Sequence, residues 1–433
     1  MLSFVHPDSH DDVVVTGLGM VTPLGITADE TWRRLIAGQT AARRLTTDDV
    51  DCFAELSRLP GLPLIGAPVN HDVVRSRLEK TGILERIDSA IASAWLSEPV
   101  VAMSLLALQE ATQQARLELP VANRERTSVV YGGSKGGLRT AESLCRALGA
   151  HVDFPESNAQ WRTAFTADGP QQAVSIVTGA TAAGLCPVAA CATGLVSVLQ
   201  GAMLVHSGKS DLCIVGSADA ALRASVLASF HRLRVTSRNQ NANLACRPFD
   251  VSRDGFVVGE GAAVLILESR ISAERRGAQP LACICAGGWL NDPTGMTQID
   301  DSGRIVHELL RRVLREDNLS EVIGLHGTGT LSNDLAESRG VSAYFGEVQQ
   351  RPPLCFGVKG AIGHLLGAAS SVETALTILA LHRKQIPGTT GLIDQDSLCD
   401  VRLQTSPQLL PQLKRVARLS LGFGGHVACG VFD

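Results

Sequence analysis

The order of its apolar segments constrains this chain most, because the same succession of strands and helices runs through it twice. The first pass opens with the strand Val13–Thr16 and a capped helix near Thr27–Ala37. The strand Ser128–Tyr131 then runs into Gly132-Gly133-Ser134-Lys135-Gly136-Gly137. A short strand near Pro187–Ala189, a helix from Cys191 and the strands Leu212–Val215 and Val257–Leu267 follow. The second pass has the strand Leu281–Ala286, the helix Ile305–Arg315, and Val322–Leu325 running into His326-Gly327-Thr328-Gly329-Thr330. It ends with a short strand Leu354–Phe356, a helix from His364 and the strands Val416–Leu421 and Val427–Phe432. Strand runs alternating with helical periodicity predict an α/β fold. The repeat predicts two pseudo-equivalent halves, 12–275 and 276–433, packed as one body because no Ser/Gly-rich linker divides them. Residues 1–11 are expected to form a flexible N-terminal segment, and the irregular, Pro-containing stretch Thr46–Val74 an insertion or cap.

Composition narrows the function classes. Aromatic residues make up 4% of the chain, and 39 Lys and Arg stand against 43 Asp and Glu. A single-strand nucleic-acid platform needs stacking rings and a cationic groove, so no nucleic-acid partner is expected. Residues 173–205 carry no formal charge, but Gly179, Gly184, Pro187 and Gly194 interrupt every long apolar run, so no membrane span is expected. The N-terminus lacks a basic region followed by an apolar one. None of the eleven cysteines forms a C-x-x-C pair; Cys283 and Cys285 are the closest pair, on one face of an apolar strand. Reduced thiols in a cytoplasmic protein are expected, without a metal site.

One cysteine stands apart. Ala189-Ala190-Cys191-Ala192-Thr193-Gly194 places a thiol where a short strand turns into an apolar helix, and the free N–H groups of a helix start favour a thiolate. Its small neighbours admit a thioester closely. Two histidines occupy matching places: His326 ends a strand at a Gly/Thr-rich loop, and His364 opens the helix where Cys191 does in the other half. Lys359 lies in the apolar, Gly-rich Gly357-Val358-Lys359-Gly360 and must be paired if buried, with Glu337 or Asp334 as candidate partners.

These residues resemble the β-ketoacyl-[acyl-carrier-protein] synthase family of type II condensing enzymes, which has the thiolase fold. The likeness runs from Val13-Val14-Val15-Thr16-Gly17-Leu18-Gly19 to Gly422-Phe423-Gly424-Gly425. Between them lie Ala190–Gly194, Arg247-Pro248-Phe249-Asp250, Arg253–Gly261, His326–Thr330 with Asp334 and Glu337, and Lys359 with Gly363–Ala369. The resemblance implies a layered αβαβα fold and a Cys-His-His triad of Cys191, His326 and His364, with Lys359 and Glu337 as the supporting pair. It implies acyl transfer to Cys191, then decarboxylation of a malonyl-carrier thioester whose oxygen both imidazoles would hold, then C–C bond formation. The backbone N–H groups of Cys191 and Phe423 would form the oxyanion hole, Phe423 with Gly422, Gly424 and Gly425 a gate, and Thr328 and Thr330 a grip on pantetheine. No cofactor is needed. The partners implied are acyl carrier protein and a second copy of the chain in a homodimer. A non-catalytic tunnel subunit of a heterodimer is the alternative, one with no chemical use for the triad.

Two departures bear on specificity. His426-Val427 stands where the family has Thr-Asn, and Lys135 stands where a small or apolar residue faces the acyl chain. Lys135 is expected to resist a long alkyl chain unless it points elsewhere or is salt-bridged. Carrier proteins are acidic, so Arg232, Arg234 and Arg238 are the expected docking cations.

Overall fold

The computed structural model describes residues 2–3, 12–149, 166–314 and 319–433. Its first half contributes five strands to the central sheet: β1 (Val13–Val21), β2 (Thr127–Gly133), β3 (Gly184–Leu185), β4 (Leu212–Asp219) and β5 (Gly261–Ser269). The second contributes β6 (Ala282–Asn291), β7 (Val322–Gly324), β8 (Leu354–Phe356), β9 (Val416–Gly422) and β10 (His426–Phe432), plus the two-residue strand Arg402–Leu403, which pairs parallel with the outer side of β8 and has no counterpart in the first half. Across the sheet the first set runs β1-β5-β4-β2-β3 and the second β6-β10-β9-β7-β8. The directions match as well. β1–β5 and β5–β4 are antiparallel, as are β6–β10 and β10–β9; β4–β2 and β2–β3 are parallel, as are β9–β7 and β7–β8. The two sets join where Val13–Val15 pairs antiparallel with Ala282–Ile284. This is the duplication read in the order of elements.

Helices complete the layers. Thr193–His206 and Ala369–His382 pack on each other between the two strand sets, buried along nearly all their length. Pro99–Gln114 and Gly169–Thr178 cover the outer face of the first set, and Arg304–Val313, backed by Leu331–Glu347, that of the second. The central pair approach so closely that a Cβ on Gly194 would lie 2.2 Å from the backbone nitrogen of Ser371. A small residue there is therefore what allows the two helix starts to lie side by side. The helix Ala28–Ile36 follows its local signals: Thr27 caps Glu30, acids fill the first turn, and Arg33 and Arg34 the last.

Several boundaries differ from the sequence-based expectation. The short strand is Gly184–Leu185, before Pro187–Ala189. The helix expected at Cys191 starts at Thr193, after a 3₁₀ turn over Ala190–Ala192. The helix expected at His364 starts at Ala369, after an equivalent turn over Leu366–Ala368. Val257 and Val258 leave the sheet to bond with the backbone around His364, so β5 begins only at Gly261. Within Thr46–Val74, a short helix at Phe53–Leu56 packs beside Phe256, Val258 and Leu366, while Ile65–Gly66 pairs with Arg43–Arg44 just before the stretch and packs beside Val257. Of the N-terminal segment, Leu2–Ser3 pairs with β6; residues 1 and 4–11 lie outside the described residues. Among the described residues no single helix is long and apolar enough to cross a membrane.

Candidate active site

Cys191 is the middle residue of its 3₁₀ turn, and Ala190 before it takes a left-handed φ of 46°. Leu366, at φ 50°, opens the matching turn in the other half. The counterpart of Cys191 is therefore Gly367, not His364 as expected from sequence; His364 comes three residues earlier (367 − 364). It reaches the thiol because the segment Val257–Gly259 pins it: His364 N donates to Val257 O at 2.7 Å, and Gly259 N donates to His364 O at 2.9 Å. The edge of its ring meets the Phe256 ring at a centroid distance of 4.9 Å.

The sulfur of Cys191 and a ring nitrogen of each histidine all lie within 4.8 Å of one another. The two imidazoles stand edge to face, with centroids 5.4 Å apart. Their tautomers follow from their partners. Lys359 Nζ donates to Nδ1 of His326 at 3.1 Å, and the backbone N–H of Leu366 donates to Nδ1 of His364 at 3.2 Å. Each Nδ1 being an acceptor, each ring carries its proton on Nε2. Burial and the Lys359 charge hold both histidines well below the ordinary imidazole range, with Lys135 adding to the effect on His364. Both rings are neutral donors at neutral pH.

The thiol departs from the expectation that the helix start favours its ionised form. Burial pushes Cys191 up to about 11, although Lys359 and Lys135 pull it down, so the resting group is a thiol. A divalent cation would need the thiolate and would sit beside the Lys359 ammonium, so the donor set suits covalent chemistry better than metal binding.

The supporting pair also needs correction. Lys359 does not pair with Glu337 or Asp334. Its Nζ lies 2.5 Å from Glu373 Oε1 and donates to the carbonyl of His326 at 2.6 Å. Glu337 instead accepts the backbone N–H groups of His326 and Gly327, the latter at 2.8 Å, and burial raises its carboxyl to about 7. Asp334 accepts those of Phe249, Thr328 and Gly329. The two carboxylates, three residues apart on the helix Leu331–Glu347, shape the loop that carries His326. Glu373 and Arg418, which bonds it from β9, were missed. Each announces itself as the single Asp, Glu, Lys or Arg inside its element, Ala369–His382 and Val416–Gly422.

A cavity of about 460 Å³ opens onto the triad. Thr328, Thr330, Phe423, Gly425 and His426 line it, as do Arg234 and Arg238. Arg232, Gly424 and Lys135 do not. Arg232 is the exposed last residue of the helix Ala224–Arg232. Gly424 is exposed, its N–H donating to the Met296 carbonyl at 2.8 Å. Lys135 takes the salt-bridged option, with Nζ 2.7 Å from the buried Asp219, which also accepts the N–H of Gly367. Over the thiol, the end of β9 runs so close that a Cβ on Gly422 would lie 3.0 Å from Cys191 N.

The comparisons with known proteins agree with this geometry. Residues 10–273 match the family described as beta-ketoacyl synthase, N-terminal domain, and residues 281–392 its C-terminal domain. The chain belongs to the beta-ketoacyl synthase family. It is 34% identical to a mitochondrial 3-oxoacyl-[acyl-carrier-protein] synthase of Arabidopsis thaliana, over 98% of this chain and 93% of that protein. It is 30% identical to 3-oxoacyl-[acyl-carrier-protein] synthase 2 of Mycobacterium bovis, over 96% and 95%. A beta-ketoacyl synthase from Burkholderia phymatum superposes with a TM-score of 0.81 at 26% identity, over 98% of this chain and 99% of that one. A type II PKS ketosynthase solved in complex with its acyl-carrier protein shares the fold, with a TM-score of 0.82 at 23% identity and 98% coverage of both chains.

Proposed function

We propose that this beta-ketoacyl synthase joins an acyl group carried on Cys191 to malonyl-[acyl-carrier-protein], with loss of CO₂. The observation that supports this best is the pair of neutral imidazoles, each with its proton on Nε2, that bring a ring nitrogen apiece within 4.8 Å of the Cys191 sulfur. In the first half-reaction the thiol of Cys191 attacks an acyl-carrier thioester, and its proton leaves on the pantetheine thiol that is expelled. The backbone N–H groups of Cys191 and Phe423 receive the oxyanion; the close packing of Gly422, the residue before Phe423, on the Cys191 turn supports this.

In the second half-reaction the malonyl carboxylate departs as CO₂ and the electrons of the broken bond form an enolate. Nε2–H of His326 and of His364 hold its oxygen, while Lys359 orients His326. The enolate carbon attacks the acyl carbonyl, and the expelled Cys191 sulfur takes up a proton. Thr328 and Thr330 bind pantetheine by their hydroxyls. Incubation with acyl-carrier and then malonyl-carrier tests the scheme. Intact-mass detection of an acyl adduct on Cys191, followed by a β-ketoacyl-carrier product, is expected. Hydrolysis of acyl-carrier without C–C product, or no adduct, overturns it.

The carrier docks at the mouth of the cavity. Arg234 and Arg238 supply cations there for an acidic carrier surface, with Arg232 beside them. Arg234→Glu is expected to raise KM for the carrier substrates about tenfold, roughly the effect of one reversed docking charge, and to leave kcat within twofold. Steady-state kinetics at low salt check this.

The chain works as a homodimer in the cytoplasm. Support comes from β3, the open edge of the sheet, where Leu185 is exposed together with nearby Ile176 and Val188. An unpaired edge flanked by apolar side chains favours strand pairing with another copy. Light scattering should report twice the 45.7 kDa chain mass, and Leu185→Lys should reduce it to the monomer; a wild-type monomer overturns the dimer.

A further inference from the structure

Arg418 is a fully buried arginine in the middle of β9. Glu373, 1% exposed, is the carboxylate shared by two cations: Oε1 takes Lys359 and Oε2 takes Arg418. Lys359 and Arg418 are thus two buried cations on one carboxylate, with Glu337, its carboxyl raised to about 7 by burial, the other acid near Arg418, and burying such a cluster costs stability. Nη1 of Arg418 makes a further bond, to the carbonyl of Leu325 at 2.8 Å, which belongs to the residue directly before His326. Its Nε has no partner among the described residues.

We propose that Arg418 is a positioning residue for the condensation: by clamping Oε2 of Glu373 and the Leu325 carbonyl together, it keeps Lys359 donating to Nδ1 of His326 and the opposite N–H of that ring aimed at the substrate oxygen. This inference rests on the condensing reading above. Two constraints meet on His326. Through Leu325 the guanidinium fixes the end of the strand that presents the histidine. Through Glu373 it stops the carboxylate from rotating, and with it the Lys359 ammonium that sets the tautomer. The same strand ends at Gly422 over the Cys191 turn, and Ser420 Oγ donates to the Cys191 carbonyl at 3.4 Å. One element therefore registers the enolate donor against the acyl-bearing sulfur.

The charges facing His326 are Lys359 and Glu373 from the two neighbouring helices, Arg418 from β9, and Glu337 beneath its own loop. The neutral His364 and the Cys191 thiol face it across the cavity. Removing Arg418 takes away one of the charges that oppose protonation of His326. The acid limb of the reaction should therefore move to higher pH.

The experiment compares wild type, Arg418→Met and Arg418→Lys by release of CO₂ from malonyl-carrier across pH, with melting temperature recorded for each. Arg418→Met is expected to lose about tenfold in kcat, a typical share of a misaligned donor, with KM held within twofold and the acid limb moved up. Arg418→Lys keeps the charge but cannot span both acceptors, so it should lose kcat while the limb stays in place. A purely structural role lowers the melting temperature of both variants but leaves kcat and the pH profile of the folded protein as in wild type, and that result overturns the inference. If wild type itself releases no CO₂, the condensing reading fails first and the inference with it.

Discussion

Cys191→Ala forms no acyl adduct and loses condensation by at least about a thousandfold, since Cys191 is the one thiol among the described residues lining the cavity and hydroxyls are far weaker nucleophiles toward a thioester. The variant should still release CO₂ from malonyl-carrier, because both Nε2–H donors and the Lys359–Glu373 pair that orients one of them are untouched. That decoupling tells the two half-reactions apart: one belongs to the sulfur and the other to the imidazoles. The thiol side has its own pH signature. With Cys191 raised to about 11, its alkylation by iodoacetamide should be slow at pH 7 and keep accelerating through pH 9. A rate already at its plateau at pH 7 would mean that the helix start does stabilise a resting thiolate. Intact mass, CO₂ release and alkylation rate together check the prediction on the folded variant and wild type.

What the sequence made legible follows how local each feature is. Cys191, His326, His364 and Lys359 each sit in a turn or at the end of a short element beside Gly or Ala, a local setting that singles each out in the sequence. The duplication was legible for the same reason, since the order of strands and helices survives where residue identity does not. The partners were harder to read. Glu337 and Asp334 are the candidate partners of Lys359 on the helix after the His326 loop, yet that helix turns both back onto the N–H groups of backbone at and beside that loop. The true partner, Glu373, comes from a helix packed against the other half. Arg418 meets it from a strand 45 residues away (418 − 373), a contact that only the assembled sheet creates. The offset between His364 and Cys191 has a similar cause. The repeat aligns the two 3₁₀ turns, whereas the convergence of side chains depends on the bridge from Val257–Gly259, an element of the first half reaching into the second. For Lys135 the expectation left a salt bridge as one way out of facing the acyl chain, but the partner, Asp219, lies on β4 and nothing near Lys135 in the chain points to it.

His326→Ala should have the complementary outcome to Cys191→Ala: the acyl adduct on Cys191 forms, but decarboxylation and condensation fall together by about a hundredfold, the worth of one lost oxyanion donor at about 3 kcal/mol. The loss should fall on kcat rather than KM. The Nε2–H bond strengthens as the enolate oxygen gains charge and contributes little to holding the neutral thioester. The same donor accounts for the pH dependence. Because burial and Lys359 hold both imidazoles well below the ordinary histidine range, the neutral forms persist as pH falls through 6.5. Wild-type CO₂ release should therefore stay level across that region and decline only at lower pH, where protonation of His326 puts a proton on Nδ1 against the Lys359 ammonium. A wild-type profile that drops by half near pH 6.5 would mean that the rings titrate as free imidazoles, and the neutral-donor mechanism would not hold. An adduct that fails to form in His326→Ala would instead place this histidine in the acyl-transfer step, where the proposed scheme gives that work to backbone N–H groups at the Cys191 turn.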